Sequence, residues 1–155
     1  KRTVYGGGGI LPDVFVPIDT SANSLTFRKL LRKGIMSSYA LEFVDSNRSR
    51  LEREYPTEDD FVNNYIISDK EIIAFKAWAK EKGSEDDPIE IPEEDWEISG
   101  DAITLRLKAF IGRNTYKQST FYRIIGDLNE TLTEAIDILN DGRFEKSKLA
   151  HKTFK

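Results

Sequence analysis

The chain contains no cysteine and a single histidine, which excludes disulfides, thiolate chemistry and the usual zinc sites built from Cys and His. Long apolar runs are missing too. None approaches the ~20 residues that a helix needs to cross a bilayer, and no basic n-region with an apolar h-region opens the chain. The expectation is a protein with no membrane span that is not, as it stands, a secreted precursor. An excess of positive charge is also absent. Lys and Arg number 23 against 27 Asp and Glu, giving a net charge of −4 and a sequence pI near 5.2. That balance argues against nucleic acid as a partner, since a dedicated binder needs a basic footprint to release counterions from phosphates.

What is present suits one main domain. At 155 residues and 39% hydrophobic content the chain can bury one core, and a charged fraction of 32% supplies its polar surface. The first segment is different in kind. Arg2-Thr3-Val4-Tyr5 and Ile10-Leu11-Pro12-Asp13-Val14-Phe15-Val16-Pro17 are β-type stretches joined by Gly6-Gly7-Gly8-Gly9, where the backbone is free to take positive φ, and Pro12-Asp13 is a turn signal.

This glycine turn followed by I-x-P-D and an apolar strand resembles the last conserved segment of the catalytic core of the carboxyl-terminal processing (tail-specific) serine peptidases, in their Bacteroidetes-type form. That family has a Gly before the Arg, where this chain has Lys1. Leu107-Lys108-Ala109-Phe110-Ile111-Gly112-Arg113 and Phe121-Tyr122-Arg123-Ile124-Ile125 are similar to helical segments in the C-terminal extension of the same peptidases. The resemblance implies a Ser nucleophile and a Lys general base upstream of residue 1. It follows that this chain carries no catalytic, cofactor-binding or metal residue of its own. The implied partners are the upstream peptidase core and PDZ-like module of the same polypeptide, protein substrates and, optionally, a second copy in a homo-oligomer. The implied location is the periplasm or cell envelope, which the absence of cysteine fits.

Beyond about residue 20 the pattern turns helical, so the expected fold is mainly α: a helical domain at 21–142 behind a short β-hairpin or strand remnant at 1–20, with a basic tail at 143–155. Ser21-Ala22-Asn23-Ser24 precede a short helix with Phe27, Leu30 and Leu31 on one face, and Gly34 ends it. Residues 35–55 read as a helix anchored by Ile35, Tyr39, Leu41, Phe43 and Leu51, with a kink-prone polar middle at 45–49, ending before Pro56. Thr57 with Asp60, and Ser68 with Glu71, have capping-box spacing. The second box opens a helix with Ile72, Ile73, Phe75, Ala77, Trp78 and Ala79, stopped by Gly83. Residues 84–97, with two prolines and a dense acidic run, read as a linker pinned by Ile89, Ile91 and Trp96. Helices are then expected at about 99–113, 118–125 and 127–140, the last with a stripe of Leu132, Ala135, Ile136 and Leu139.

Several groups invite a chemical reading. Gly6 to Gly9 lack the Lys and Ser/Thr of a phosphate-binding loop and no βαβ unit follows, so a structural turn is the reading. The acidic run from Glu85 to Glu97 lacks the spacing and turn glycine of a calcium loop and reads as a solvated face. His151 has no acid or nucleophile nearby in sequence. Lys1, Lys29 and Lys33, set against Ser24, Ser37 or Ser38, lack the desolvation that a Ser-Lys pair requires. Trp78, Trp96, Phe110, Tyr116, Phe121 and Tyr122 are candidates for a peptide-binding groove, with core packing the competing reading. Two functions are carried forward: the non-catalytic C-terminal region of a tail-specific serine endopeptidase, and a free-standing helical interaction module.

Overall fold

In the computed structural model the described residues are 12, 14–17, 23–126 and 129–146, and among them the fold is helical. The chain divides into two compact units, Asp19–Asn129 and a second composed of Lys1–Ile18 with Glu130–Lys155.

The larger unit holds six helices: α1 (Leu25–Arg32), α2 (Ile35–Glu54), α3 (Glu58–Asn64), α4 (Asp69–Glu81), α5 (Glu93–Thr115) and α6 (Gln118–Ile125). Their ends follow local chemistry. The Ser24 hydroxyl accepts from the Phe27 amide at the start of α1. Gly34, at φ +66°, is the last residue of the α1 turn and the N-cap of α2. The expected capping boxes are both formed, at Thr57 with Asp60 and at Ser68 with Glu71, satisfying amide groups that the first turn of a helix leaves open. Residues 45–49 lie inside the unbroken α2.

α5 is the central element and packs against α1, α2, α3 and α6. Ile103, Leu107 and Ile111, at i, i+4, i+8, are buried along it. They meet Phe27 and Leu30 of α1, Met36, Ala40, Val44 and Leu51 of α2, Phe61 of α3 and Phe75 of α4 in one core. Gly112 lets the helices close: a Cβ there would stand 2.9 Å from both the Phe61 ring and the Thr120 methyl. Gly83 serves a different approach, because a Cβ would lie 2.6 Å from the Ile89 amide nitrogen.

Three sequence expectations change. α5 begins at Glu93, inside the span read as a linker. Pro92 stands at its N-cap and Glu93, Glu94 and Asp95 fill its first turn, where carboxylates are favoured by the helix dipole. The acidic run is in part a helix start. Leu41 and Ile73, expected to anchor α2 and α4, are exposed, and Met36, Ala40 and Val44 face the core instead. Trp78 is half-buried, with Phe75 and Ala79 carrying the buried face of α4.

The smaller unit contains α7 (Glu130–Asn140) and α8 (Arg143–Lys146), with Gly142 between them at φ +75°. Arg143 pairs with Glu134 at 2.5 Å and with Asp141 at 2.5 Å. α7 buries no side chain: Leu132, Ile136 and Leu139 are all exposed. The start of the basic tail is the short helix α8, and the rest of the tail lies outside the described residues. Most of the expected hairpin at residues 2–17 lies outside them as well. The described part, residues 12 and 14–17, forms no strand, and Val14 and Phe15 are exposed.

Candidate functional site

The best organised polar cluster surrounds Glu71, at the third position of α4. Its Oε2 accepts the Ser68 amide at 2.8 Å, and its Oε1 accepts from the Arg50 guanidinium at 3.0 Å and from the Tyr65 hydroxyl at 3.3 Å. The Tyr39 hydroxyl donates to the Glu71 carbonyl at 3.4 Å. Burial alone would raise the Glu71 carboxyl, but the hydrogen bonds from Ser68 and the Arg50 charge outweigh it and hold the group below its ordinary value. Burial, with the Glu71 charge beside it, pushes the Tyr65 hydroxyl well above the usual phenol range. Near neutral pH the cluster is therefore an anion, a cation and a neutral donor that satisfy one another. It ties α2, the segment before α4, and α4 together. Neither carboxylate nor phenol is poised to exchange a proton.

A second cluster uses the acidic segment ahead of α5. Asp87 takes Lys29 at 2.5 Å and also Lys33, and these two hydrogen-bonded ammonium groups hold its carboxyl down at about 2. Lys29 also donates to the Pro88 carbonyl at 2.6 Å, and the Asp95 carboxylate accepts the Thr26 amide at 3.2 Å. Lys80 reaches Glu90 at 3.4 Å. Between α4 and this segment lies an open cleft of about 420 Å³, lined by Lys76, Ala77, Lys80, Ile89, Glu90 and Pro92 among others. The acidic residues are thus spread over the cations of α1 and α4, and no three metal-ligating side chains converge among the described residues.

The third cluster is a seam between α3 and the start of α6. Glu58 takes Lys117 at 2.7 Å and the Thr120 hydroxyl at 3.0 Å, and the bond from Lys117, ahead of that from Thr120, lowers its carboxyl. Asp59 pairs with Arg123 at 2.5 Å. The Lys108 ammonium donates to the Val62 carbonyl at the end of α3 at 2.7 Å, and burial lowers its pKa.

The groups singled out in the sequence are dispersed by the fold. Lys29 and Lys33 are committed to Asp87. The Ser24 hydroxyl caps α1 and the Ser37 hydroxyl donates to the Gly34 carbonyl. Neither serine is joined to a lysine, so Lys29 and Lys33 form no Ser-Lys pair with Ser24 or Ser37. Lys1, Gly6 to Gly9 and His151 lie outside the described residues. Of the six aromatic residues, Phe110, Phe121 and Tyr122 pack together, with centroids 4.8 and 5.5 Å apart, and Arg113 sits over Phe110. Trp78 instead packs edge-on with Tyr39 and donates to Glu42 at 2.8 Å. Trp96 carries the Lys76 ammonium 3.9 Å above its ring. Tyr116 donates to the Tyr55 carbonyl and packs on Phe61. One groove built from all six is not formed.

Sequence reading missed Arg106. It projects from the apolar face of α5 with its Nε buried and without an acceptor, its guanidinium 5.4 Å from the Phe27 ring. Burial lowers its pKa, and the face of the Phe27 ring offsets part of that cost. Its place between Ile103 and Leu107 is the signal that was available.

These three clusters join helices to helices, and residues 26–117, which contain most of them, match a known family, the "Family of unknown function (DUF8443)". The chain belongs to the DUF8443 family. The match spans more than half of the chain and stops short of residues 2–17 and of α6 to α8. No curated protein and no solved structure matches the chain.

Proposed function

We propose that this DUF8443 chain is the C-terminal, non-catalytic region of a carboxyl-terminal processing serine endopeptidase, with α1 to α6 forming a helical domain that braces the core, its assembly or its contact with substrate. The observation that carries the reading is the sequence of residues 2–17, which resembles the closing segment of that peptidase core. The character of the three clusters supports it: their charged groups satisfy one another across helix junctions, as a brace requires and a hydrolytic site does not.

In this reading residues 1–20 are the last β segments of the core, paired as a hairpin or added to its sheet. The Ser nucleophile and Lys base lie upstream, behind a PDZ-like module that recognises substrate C-termini, and the parent protein works in the periplasm or cell envelope. The test is proteolysis of an unstructured protein by the polypeptide extended through its upstream reading frame. Cleavage that is lost when an upstream Ser is changed to Ala, with residues 1–155 inert alone, is the expected result. An upstream frame without a PDZ-like stretch and without Ser and Lys overturns it.

One observation favours the second reading, a free-standing helical interaction module. Asp19–Asn129 is a compact unit by itself, and the family match lies wholly inside it. Folding and partner binding by residues 19–129, in a protein lacking any upstream peptidase, would select that alternative.

A further inference from the structure

The cations of the three clusters all have an acceptor. Lys29 and Lys33 share Asp87, Arg50 has Glu71, Lys117 has Glu58, Arg123 has Asp59 and Lys108 has the Val62 carbonyl. Arg106 and Arg113 of α5 are different. Among the described residues neither guanidinium has an ion pair or a hydrogen bond, and each rests instead against an aromatic ring, Phe27 at 5.4 Å and Phe110 at 4.8 Å. The buried side-chain nitrogens left without an acceptor among the described residues, Arg106 Nε and Asn114 Nδ2, both belong to this stretch of α5.

Arg106, Phe110 and Arg113 stand at i, i+4 and i+7, one stripe of the helix, and all three are partly exposed. Phe121 and the exposed Tyr122 of α6 continue the aromatic surface beside Phe110. A ring under the face of a guanidinium leaves its N–H edges for a planar acceptor.

Chemistry selects the occupant. Donors without acceptors call for an anion, and the guanidinium fork fits a carboxylate or a phosphate. The two arginines lie two helical turns apart, roughly 10 Å along the axis, too far to share one small anion. A nucleic-acid strand needs a longer basic track than two residues, and the chain is net −4. An extended peptide with acidic residues three positions apart, at ~3.1 Å per residue, presents carboxylates at the matching spacing. An apolar side chain between them would meet the Phe110 ring.

We infer that Arg106, Phe110 and Arg113 are the receptor for an acidic peptide segment of another protein, with one carboxylate taken by each guanidinium. The inference stands whether the chain is a peptidase region or a free-standing module.

Fluorescence anisotropy with residues 1–155 and a short labelled peptide containing Glu-Pro-Phe-Glu tests it. Binding should be saturable and should weaken by about 10-fold or more when both peptide Glu residues are replaced by Gln. The same loss is expected in Arg106→Gln with Arg113→Gln. Arg113→Gln alone, at a partly exposed position that leaves the core intact, should weaken binding by about 5-fold, and Arg106→Lys, which keeps the charge but loses the fork, by a similar factor. Arg123→Gln, whose guanidinium already faces Asp59, should stay within about 2-fold of the parent. No saturable binding of the peptide, or equal binding by the double variant, overturns the inference. So does a single-stranded oligonucleotide that binds the same strip more tightly than the peptide, which would mark nucleic acid as the occupant.

Discussion

α5 and α7 carry apolar residues at closely similar helical spacing, yet Ile103, Leu107 and Ile111 of α5 are fully enclosed while Leu132, Ile136 and Leu139 of α7 face solvent. Periodicity reports that a helix has a face to hide and says nothing about what hides it. In α5 the answer is inside its own unit, where four helices pack around it. In α7 the stripe is exposed, so the same sequence signal that marks a core element in one region marks a solvent-facing side in the other.

That contrast is sharpest where truncation is most costly. Phe61→Ala removes a fully buried ring that stacks on Tyr65, with centroids 4.6 Å apart, and should lower stability by about 3–5 kcal/mol in urea denaturation. Glu71→Ala takes away a capping-box partner and the acceptor of the Tyr65 hydroxyl, and leaves Arg50 with only its longer pairing to Glu54 at 3.7 Å. A loss of about 2 kcal/mol is expected, and a loss under about 0.5 kcal/mol would show the cluster to be ornamental. Trp78→Phe keeps most of the half-buried ring and loses only the bond to Glu42, for about 1 kcal/mol.

Asp87 gives a smaller effect with a definite sign. Its folded pKa, about 2, lies below the ~3.9 of an unfolded aspartate. Its contribution is therefore complete above pH ~4 and is lost as pH falls through about 2. The urea midpoint of the parent should exceed that of Asp87→Asn at pH 6, and the difference should shrink steadily as pH falls towards 2; a difference as large at pH 2 as at pH 6 would contradict the assignment. Smallest of all, Ile136→Ala in residues 1–155 should change stability by less than about 0.5 kcal/mol, since α7 has no packed interior to disturb. A loss of 2 kcal/mol or more would erase the contrast with α5.

The sequence exposed local chemistry better than long-range placement. The capping boxes at Thr57 and Ser68 and the turn at Gly34 are determined within a few residues, so their chemistry is visible in the string. The start of α5 was obscured because Pro92 and the acidic residues after it belong equally to linkers and to helix N-termini. Leu41 and Ile73 were misplaced for another reason: apolar residues adjacent to a stripe are sorted only by where the neighbouring helices lie. No spacing rule could have brought Arg50, Tyr65 and Glu71 to one point, because 21 residues separate Arg50 from its carboxylate. The aromatic groove failed on the same ground: Phe110, Phe121 and Tyr122 pack together, while Trp78, Trp96 and Tyr116 serve other junctions.

The Ser24 amide donates to the Ser99 hydroxyl at 2.8 Å across 75 residues of chain, and the link from Thr26 to Asp95 spans 69. Contacts this distant in sequence form only after a large loop has closed, and the entropy of that closure precedes any gain from the contact. The capped turns at the starts of α3 and α4 carry no such delay. The Ser24–Ser99 link should therefore form late, so that Ser99→Ala speeds unfolding while leaving the folding rate nearly unchanged. A mutant that slows folding instead would place α1 in the nucleus.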